Sequence, residues 1–163
     1  MDGIDGIQCN MTNTLNTPIE EVERSLPIRM TRYEFRPDSA GPGEHRGGSG
    51  VVRCYKALAG GTTFTVLADR ERHRPWGLLG GGEGAGTRVV LTRAGRSVTV
   101  PSKSTFVLGA GDELKIMTAG GGGYGPPQRR RLSSVEADIE NQILSRVNAE
   151  REYLRYRSGK KRG

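Results

Sequence analysis

Residues 28–70 read IRMTRYEFRPDSAGPGEHRGGSGVVRCYKALAGGTTFTVLADR, and this stretch decides the fold. IRMTRYEF (28–35) alternates apolar and polar side chains, the period of two that a half-buried strand requires. The alternation sets Ile28 and Met30, with Arg32, on one face. A run dense in Gly and Pro follows at 36–50 and reads as turns. VVRCYKAL (51–58) and TTFTVLADR (62–70) are the next two strands, and Ala59-Gly60-Gly61 between them has the form of a hairpin connection.

Outward from this core the same grammar repeats. Toward the N-terminus, Thr17-Pro18 opens a short helix, with Glu20 and Glu21 at the positive end of its dipole and Pro27 closing it. Toward the C-terminus a second glycine loop, PWGLLGGGEGAG (75–86), leads into RVVLTR (88–93). Ala94-Gly95 turns that strand into RSVTVP (96–101). TFVLGAGDELKIMTA (105–119) reads as a further hairpin-like pair around Gly109–Asp112, and the loop GGGGYGPP (120–127) closes the body. Short strands with frequent turn signals predict an α+β chain, predominantly β, with Gly-rich loops and one C-terminal amphipathic helix. That helix is expected from about Ser134 to Arg155. Ser133 and Glu136 have the spacing of a capping box, and Val135, Ile139, Ile143, Val147 and Leu154 recur on one stripe. The organisation is thus a β-rich segment, 1–127, and a helix with a basic tail, 128–163.

Composition sharpens the picture. Twenty-five of 163 residues are glycine, about twice the usual 7%. Glycine costs backbone entropy on folding, so this number serves shape: turns, close approaches and interface loops. The net charge is +7. Residues 128–163 carry 10 basic against 5 acidic side chains, and residues 1–127 carry 15 against 13. The excess lies in the tail, which argues against a nucleic-acid surface on the body. No run reaches the roughly 18 to 20 apolar residues of a membrane span. The first residues lack the basic and apolar regions of a signal peptide, and Cys9 and Cys54 have no metal or redox spacing, so a cytoplasmic location with free thiols is expected. Cys54, inside a strand, is expected to be a buried structural thiol.

Several ordered strings resemble a known family. They are MTNTLNTPIEEVE (11–23), LPIRMTRYEFRPDSAGPGEHRGGSGVVR (26–53), DRERHRPWGLLGGGEGAG (69–86), PSKSTFVLGAGDELKIMTAGGGGYG (101–125) and VEADIENQILSRVNAEREY (135–153). Together they look like the C-terminal third of hydantoinase B/oxoprolinase proteins. The resemblance implies a hetero-oligomer. Its ATP-binding subunit is hydantoinase A-like, and a hydantoinase B-like N-terminal part, absent here, carries the metal and the main catalytic groups. Such assemblies open cyclic amides such as hydantoins or 5-oxoproline, with ketone carboxylation as the related alternative. A non-catalytic interaction module or gene remnant is the reading of a different class. Two departures stand out. The family's GGGGYG loop runs on into Asp-Pro, where this chain has Pro126-Pro127, and the family has Gly at the position of Gln142.

Site expectations follow from residue chemistry and from this resemblance. No catalytic residue and no metal ligand is assigned, and no cofactor is expected on this chain. A divalent metal and ATP are expected on partner segments or subunits. Asn13, Thr14, Asn16 and Thr17 are candidates for a substrate pocket, since short amides and hydroxyls can bond a cyclic amide; the same residues also build helix-entry turns. Arg46, Arg53 and Arg74 are candidates for binding a carboxylate or phosphate in bidentate fashion, or for tying the loops to acidic residues. None of the glycine loops stands between a strand and a helix in phosphate-loop spacing with its lysine and hydroxyl, so they are expected to pack against the rest of a large assembly. His45 and His73, both among arginines, are expected in surface loops. Trp76 is expected to anchor its loop, with a nearby arginine available to stack on it.

Overall fold

The computed structural model describes residues 1–7, 16–153 and 156. The fold is α+β and mainly β. Among the described residues it has seven strands: β1 Ile28–Phe35, β2 Val51–Ala57, β3 Thr62–Leu67, β4 Arg88–Arg93, β5 Arg96–Val100, β6 Lys103–Leu108 and β7 Glu113–Met117. The three α-helices among them are α1 Ile19–Ser25, α2 Leu132–Glu140 and α3 Arg146–Glu152. The strands form a five-stranded antiparallel sheet in the order β1-β2-β7-β4-β5 and a two-stranded antiparallel ribbon of β3 and β6.

Register explains where the core lies. In an antiparallel sheet paired residues share a face. Tyr55↔Leu114↔Leu91↔Val98 and Arg53↔Ile116↔Val89↔Val100 therefore line one face of the large sheet. Ala57, Val89, Leu91, Val100 and Leu114 of that face meet Val66 and Leu108 of the ribbon, with Phe64 and Phe106 stacked at 5.8 Å beside them. A two-stranded ribbon is marginal alone; here it is held because its apolar face closes this core. Burying a side chain such as Leu114 or Leu108 is worth roughly 1.5–3 kcal/mol. The outer face of the large sheet is polar, with Lys56↔Glu113 and Arg32 beside Glu34.

Four expectations are corrected. Arg32 does not share a face with Ile28 and Met30, because a bulge between Met30 and Arg32 shifts the register by one residue. The 51–58 and 62–70 strands do not form a hairpin, nor do the two halves of 105–119: β2 lies between β1 and β7, while β3 pairs only with β6. At the second crossing, the Asp112 carboxylate accepts from the Gly109 amide (2.8 Å) and from Arg93 Nε and an amino nitrogen (3.0 and 2.6 Å). This locks a corner that sends β6 into one layer and β7 into the other. The Ala94-Gly95 hairpin does form, with both residues at positive φ (47° and 75°), the geometry that matches strand twist. Cys54 is half-buried rather than buried. It lies on the polar face, paired with Arg32 and Lys115.

The C-terminal element is the fourth correction. It is two helices rather than one, broken at Gln142, which has φ +59°. A left-handed residue ends a helix. Ser133 and Glu136 form no capping box, because α2 starts at Leu132 with Arg131 at its cap and Ser133 lies inside the first turn. The side-chain cap is on α3, where Ser145 Oγ accepts from the Asn148 amide at 3.2 Å. The break rotates the stripe. Val147 points to solvent, and Ala149 and Tyr153 join Val135 in a small core flanked by Ile139 and Leu144. Leu154 and Arg155 lie outside the described residues, as does the basic tail from 157 on.

Candidate functional site

The glycine loops converge on one another. The segment 120–125 runs between 41–48 and 78–85, and its amides follow a period of three. Gly120 and Gly123 donate to Ala85 and Gly82 (3.0 and 2.9 Å), while Gly121 and Tyr124 donate to Gly48 and His45 (both 2.8 Å). A strand would send alternate amides to opposite sides; a threefold extended helix sends every third amide to the same neighbour. Such chains pack backbone against backbone. A methyl group on Gly122 would fall on the Trp76 carbonyl, and one on Gly123 on the Pro42 carbonyl. Gly47, Gly77, Gly81 and Gly120 stand in the same relation to neighbouring carbonyls. Within the chain these loops pack on one another and form a hydrogen-bonded glycine hub.

An ionic network ties the hub to both ends of the described chain. Arg46 donates to Asp5 Oδ1 and Oδ2 (2.7 and 2.9 Å) and to Asp138 Oδ1 at 3.0 Å. Arg130, whose side chain is 2% exposed, donates to Asp138 Oδ2 (2.6 Å) and to both carboxylate oxygens of Asp2 (2.8 and 2.9 Å). Burial alone would push the Asp2 and Asp5 carboxyls up, but the bonds from Arg130, Arg46 and the Ser49 amide outweigh it and hold both below the ordinary carboxylate range. Burial likewise works against the charge on Arg130, and its two carboxylates more than restore it. Asp2, Asp5, Arg46 and Arg130 are therefore charged near neutral pH.

The residues singled out from sequence are scattered. Asn13 and Thr14 lie outside the described residues, as does Cys9. Asn16 and Thr17 are exposed on the approach to α1, which has Pro18 at its cap. Arg46 is committed to Asp5 and Asp138. Arg53 lies 5.1 Å from the centroid of the Tyr33 ring, on the sheet's inner face. Arg74 lines a cleft of about 360 Å³ with Glu83, Asn148, Arg151 and Glu152. Trp76 is exposed, with Arg70 stacked 5.3 Å over its ring. Leu78, Leu79 and Tyr124 are exposed beside it, around the isolated bridge of Leu78 with Tyr124. His45 Nδ1 lies 3.1 Å from the N-terminal amine, and His73 lies in a separate cleft with Arg70, Glu71 and Arg72. Among the described residues no three His, Cys, Asp or Glu side chains gather to hold a metal ion.

Where the hub meets the large sheet lies a cluster of which sequence reading singled out Arg74 and missed Arg36 and Arg88. Arg36 donates from one amino nitrogen to the carbonyls of Gly86 (2.7 Å) and Thr118 (2.8 Å). Burial lowers its pKa, and the charges of Arg88 and Arg74 lower it further. These three arginines are 36, 74 and 88 in sequence, and only the fold brings them together. Asp138, Arg130, Asp2 and Asp5 were missed for the same reason.

Comparison with known proteins gives a consistent result. The family model described as Hydantoinase B/oxoprolinase matches residues 1–127. The B-type component of a D-/L-hydantoinase from a Pseudomonas species is 34% identical over 155 residues, 93% of this chain and 26% of that protein. The crystal structure of an ATP-dependent caprolactamase from Pseudomonas jessenii is 30% identical, covers 85% of this chain and 25% of that one, and superposes with a TM-score of 0.77. An acetone carboxylase structure, at 19% identity, shares the fold: TM-score 0.80 over 93% of this chain and 25% of that one. Among the curated relatives it matches, this chain spans between 8% and 26% of the relative's length. No helix among the described residues is long and apolar enough to cross a membrane.

Proposed function

This chain belongs to the hydantoinase B/oxoprolinase family, and from that membership we propose that it is one segment of an ATP-dependent enzyme acting on cyclic amides. In this reading a hydantoinase A-like subunit supplies the ATP site, and a hydantoinase B-like N-terminal part supplies the divalent metal. This chain supplies the rigid hub and sandwich against which that part is positioned. ATP would convert an amide oxygen into a leaving group, and the metal would position the attacking water. The reading is carried by one observation: up to 93% of this chain aligns with relatives of whose own length it covers only 10% to 26%. The exposed Trp76, Leu78, Leu79 and Tyr124 on the rim of the hub supply apolar surface for that N-terminal part.

Native purification of the tagged chain, with identification of the proteins retained, tests the proposal. A hydantoinase A-like protein and a metal-bearing B-like polypeptide are expected, together with phosphate release on adding ATP and a hydantoin, 5-oxoproline or a lactam. Turnover by the isolated chain would overturn it. The likeness in fold to acetone carboxylase favours a second reading, ketone carboxylation, which the same assay separates by bicarbonate dependence. Retention of no partner at all would favour an interaction module or gene remnant.

A further inference from the structure

We propose that Arg36, Arg74 and Arg88 form a binding site for an oxyanion, either a carboxylate or a phosphoryl group, at the start of β4. The three residues lie around Gly86. Arg36 bonds the Gly86 carbonyl, and the position of Gly86 is such that a Cβ there would touch Arg74 Cγ at 3.4 Å. Arg88 follows two residues on, at the first position of β4, and donates to Thr99 Oγ1 at 3.3 Å.

What separates this cluster from the other fixed arginines is the absence of an acid. Arg46, Arg93 and Arg130 each lie against an aspartate at 3.0 Å or less. Among the described residues no carboxylate lies within 4.0 Å of Arg36, Arg74 or Arg88. Arg36 is instead held by two backbone carbonyls through a single amino nitrogen, which orients the plane of its guanidinium and leaves the other edge for a ligand. A guanidinium fixed in this way loses little freedom on binding, and a second and third cation add charge-assisted bonds. Burial first, and then the charges of Arg88 and Arg74, lower the pKa of Arg36; an anion would offset the part that comes from the two neighbouring charges. Arg74 also borders a cleft lined by Asp38, Glu83 and Glu152, none of which comes within 4.0 Å of it in an ion pair. This inference is independent of the enzymatic reading above.

The test is a titration of the full chain with inorganic phosphate, and separately with acetate, replacing chloride at constant ionic strength. The amide resonances of Gly86, Thr87 and Arg88 are followed. Saturable shifts are expected, with affinity weakened about tenfold in Arg74→Gln and in Arg88→Gln. Neither variant touches the carbonyl bonds that hold Arg36, and Arg96→Gln, at the far end of the β4–β5 hairpin, is expected to bind as the parent does. Preference for phosphate assigns the site to a phosphoryl group; preference for acetate assigns it to a carboxylate. Failure of both anions to shift these amides more than chloride does would overturn the proposal, as would equal loss in Arg96→Gln.

Discussion

Gly122→Ala is the sharpest perturbation of the hub. The new methyl group would lie on the Trp76 carbonyl, a backbone atom with no rotamer to yield. Relief requires the 75–82 segment to move away from 120–125. That movement strains the bonds from the Leu78 amide to the Gly123 carbonyl and from the Gly125 amide to the Leu78 carbonyl, both 2.9 Å. Overpacking in a tight interior costs about 1–3 kcal/mol, and each weakened internal hydrogen bond adds about 1 kcal/mol. The expected loss is therefore about 3–5 kcal/mol, a large share of the 5–15 kcal/mol typical of a domain. A chain of this size loses roughly 2–4 °C in Tm per kcal/mol, so the melt should fall by on the order of 10 °C. Gly60→Ala is the control: its nearest neighbour would be 3.7 Å away, so a change within about 0.5 kcal/mol is expected. Thermal melts followed by circular dichroism decide the matter. If Gly122→Ala melts with the parent, or Gly60→Ala falls as far, the interlocked hub is not what holds these loops.

Four further outcomes are expected. Gln142→Gly should raise stability by about 1 kcal/mol, seen as a higher urea midpoint, because it relieves a left-handed residue at the break between α2 and α3. Asp138→Asn removes the charge shared by Arg46 and Arg130 and should cost about 3–5 kcal/mol by the same measure, since it leaves a buried guanidinium short of a partner. The carboxyl of Asp112 is held below its ordinary value near 3.8, first by Arg93 and then by the Gly109 amide, against the opposing effect of burial; Asp2 and Asp5 are depressed as well. A depressed folded pKa gives stability that is complete above the unfolded value and lost as pH falls through the folded one, so urea midpoints should drop below about pH 4 and the drop should be shallower in Asp112→Asn. Leu79→Asp, on the exposed rim of the hub, should leave the melt within about 0.5 kcal/mol of the parent while reducing recovery of the B-like partner in native purification.

The strands were legible because their signal is local. All seven fall where alternation and turn residues placed them, and the Ala94-Gly95 hairpin follows from two residues suited to positive φ. Their pairing was not legible. Adjacent strands most often pair, but here the Asp112 corner and the 51–67 crossing divide neighbours between two layers, and the reason lies in contacts with Arg93, 19 residues away. The helix break at Gln142 was invisible for the opposite reason: glutamine favours a helix, and tertiary packing of Ala149 and Tyr153 overrides that preference. Among the site residues, runs such as RERHR drew attention by density. Arg36, Arg88 and Arg130 carry no sequence mark that distinguishes them from solvent-facing arginines, and their roles arise from strands and loops distant along the chain.

The threefold hub also sets how this protein should respond to temperature. Its interior consists of peptide groups, with little hydrocarbon. Exposing apolar surface raises heat capacity, whereas exposing peptide surface lowers it. Unfolding should therefore show a heat-capacity increment per residue below the usual ~12–15 cal/mol/K, and a correspondingly flat stability curve. The amides of Gly121, Gly123 and Tyr124 should resist exchange with deuterium as strongly as those of the strands, although they belong to no helix and no sheet.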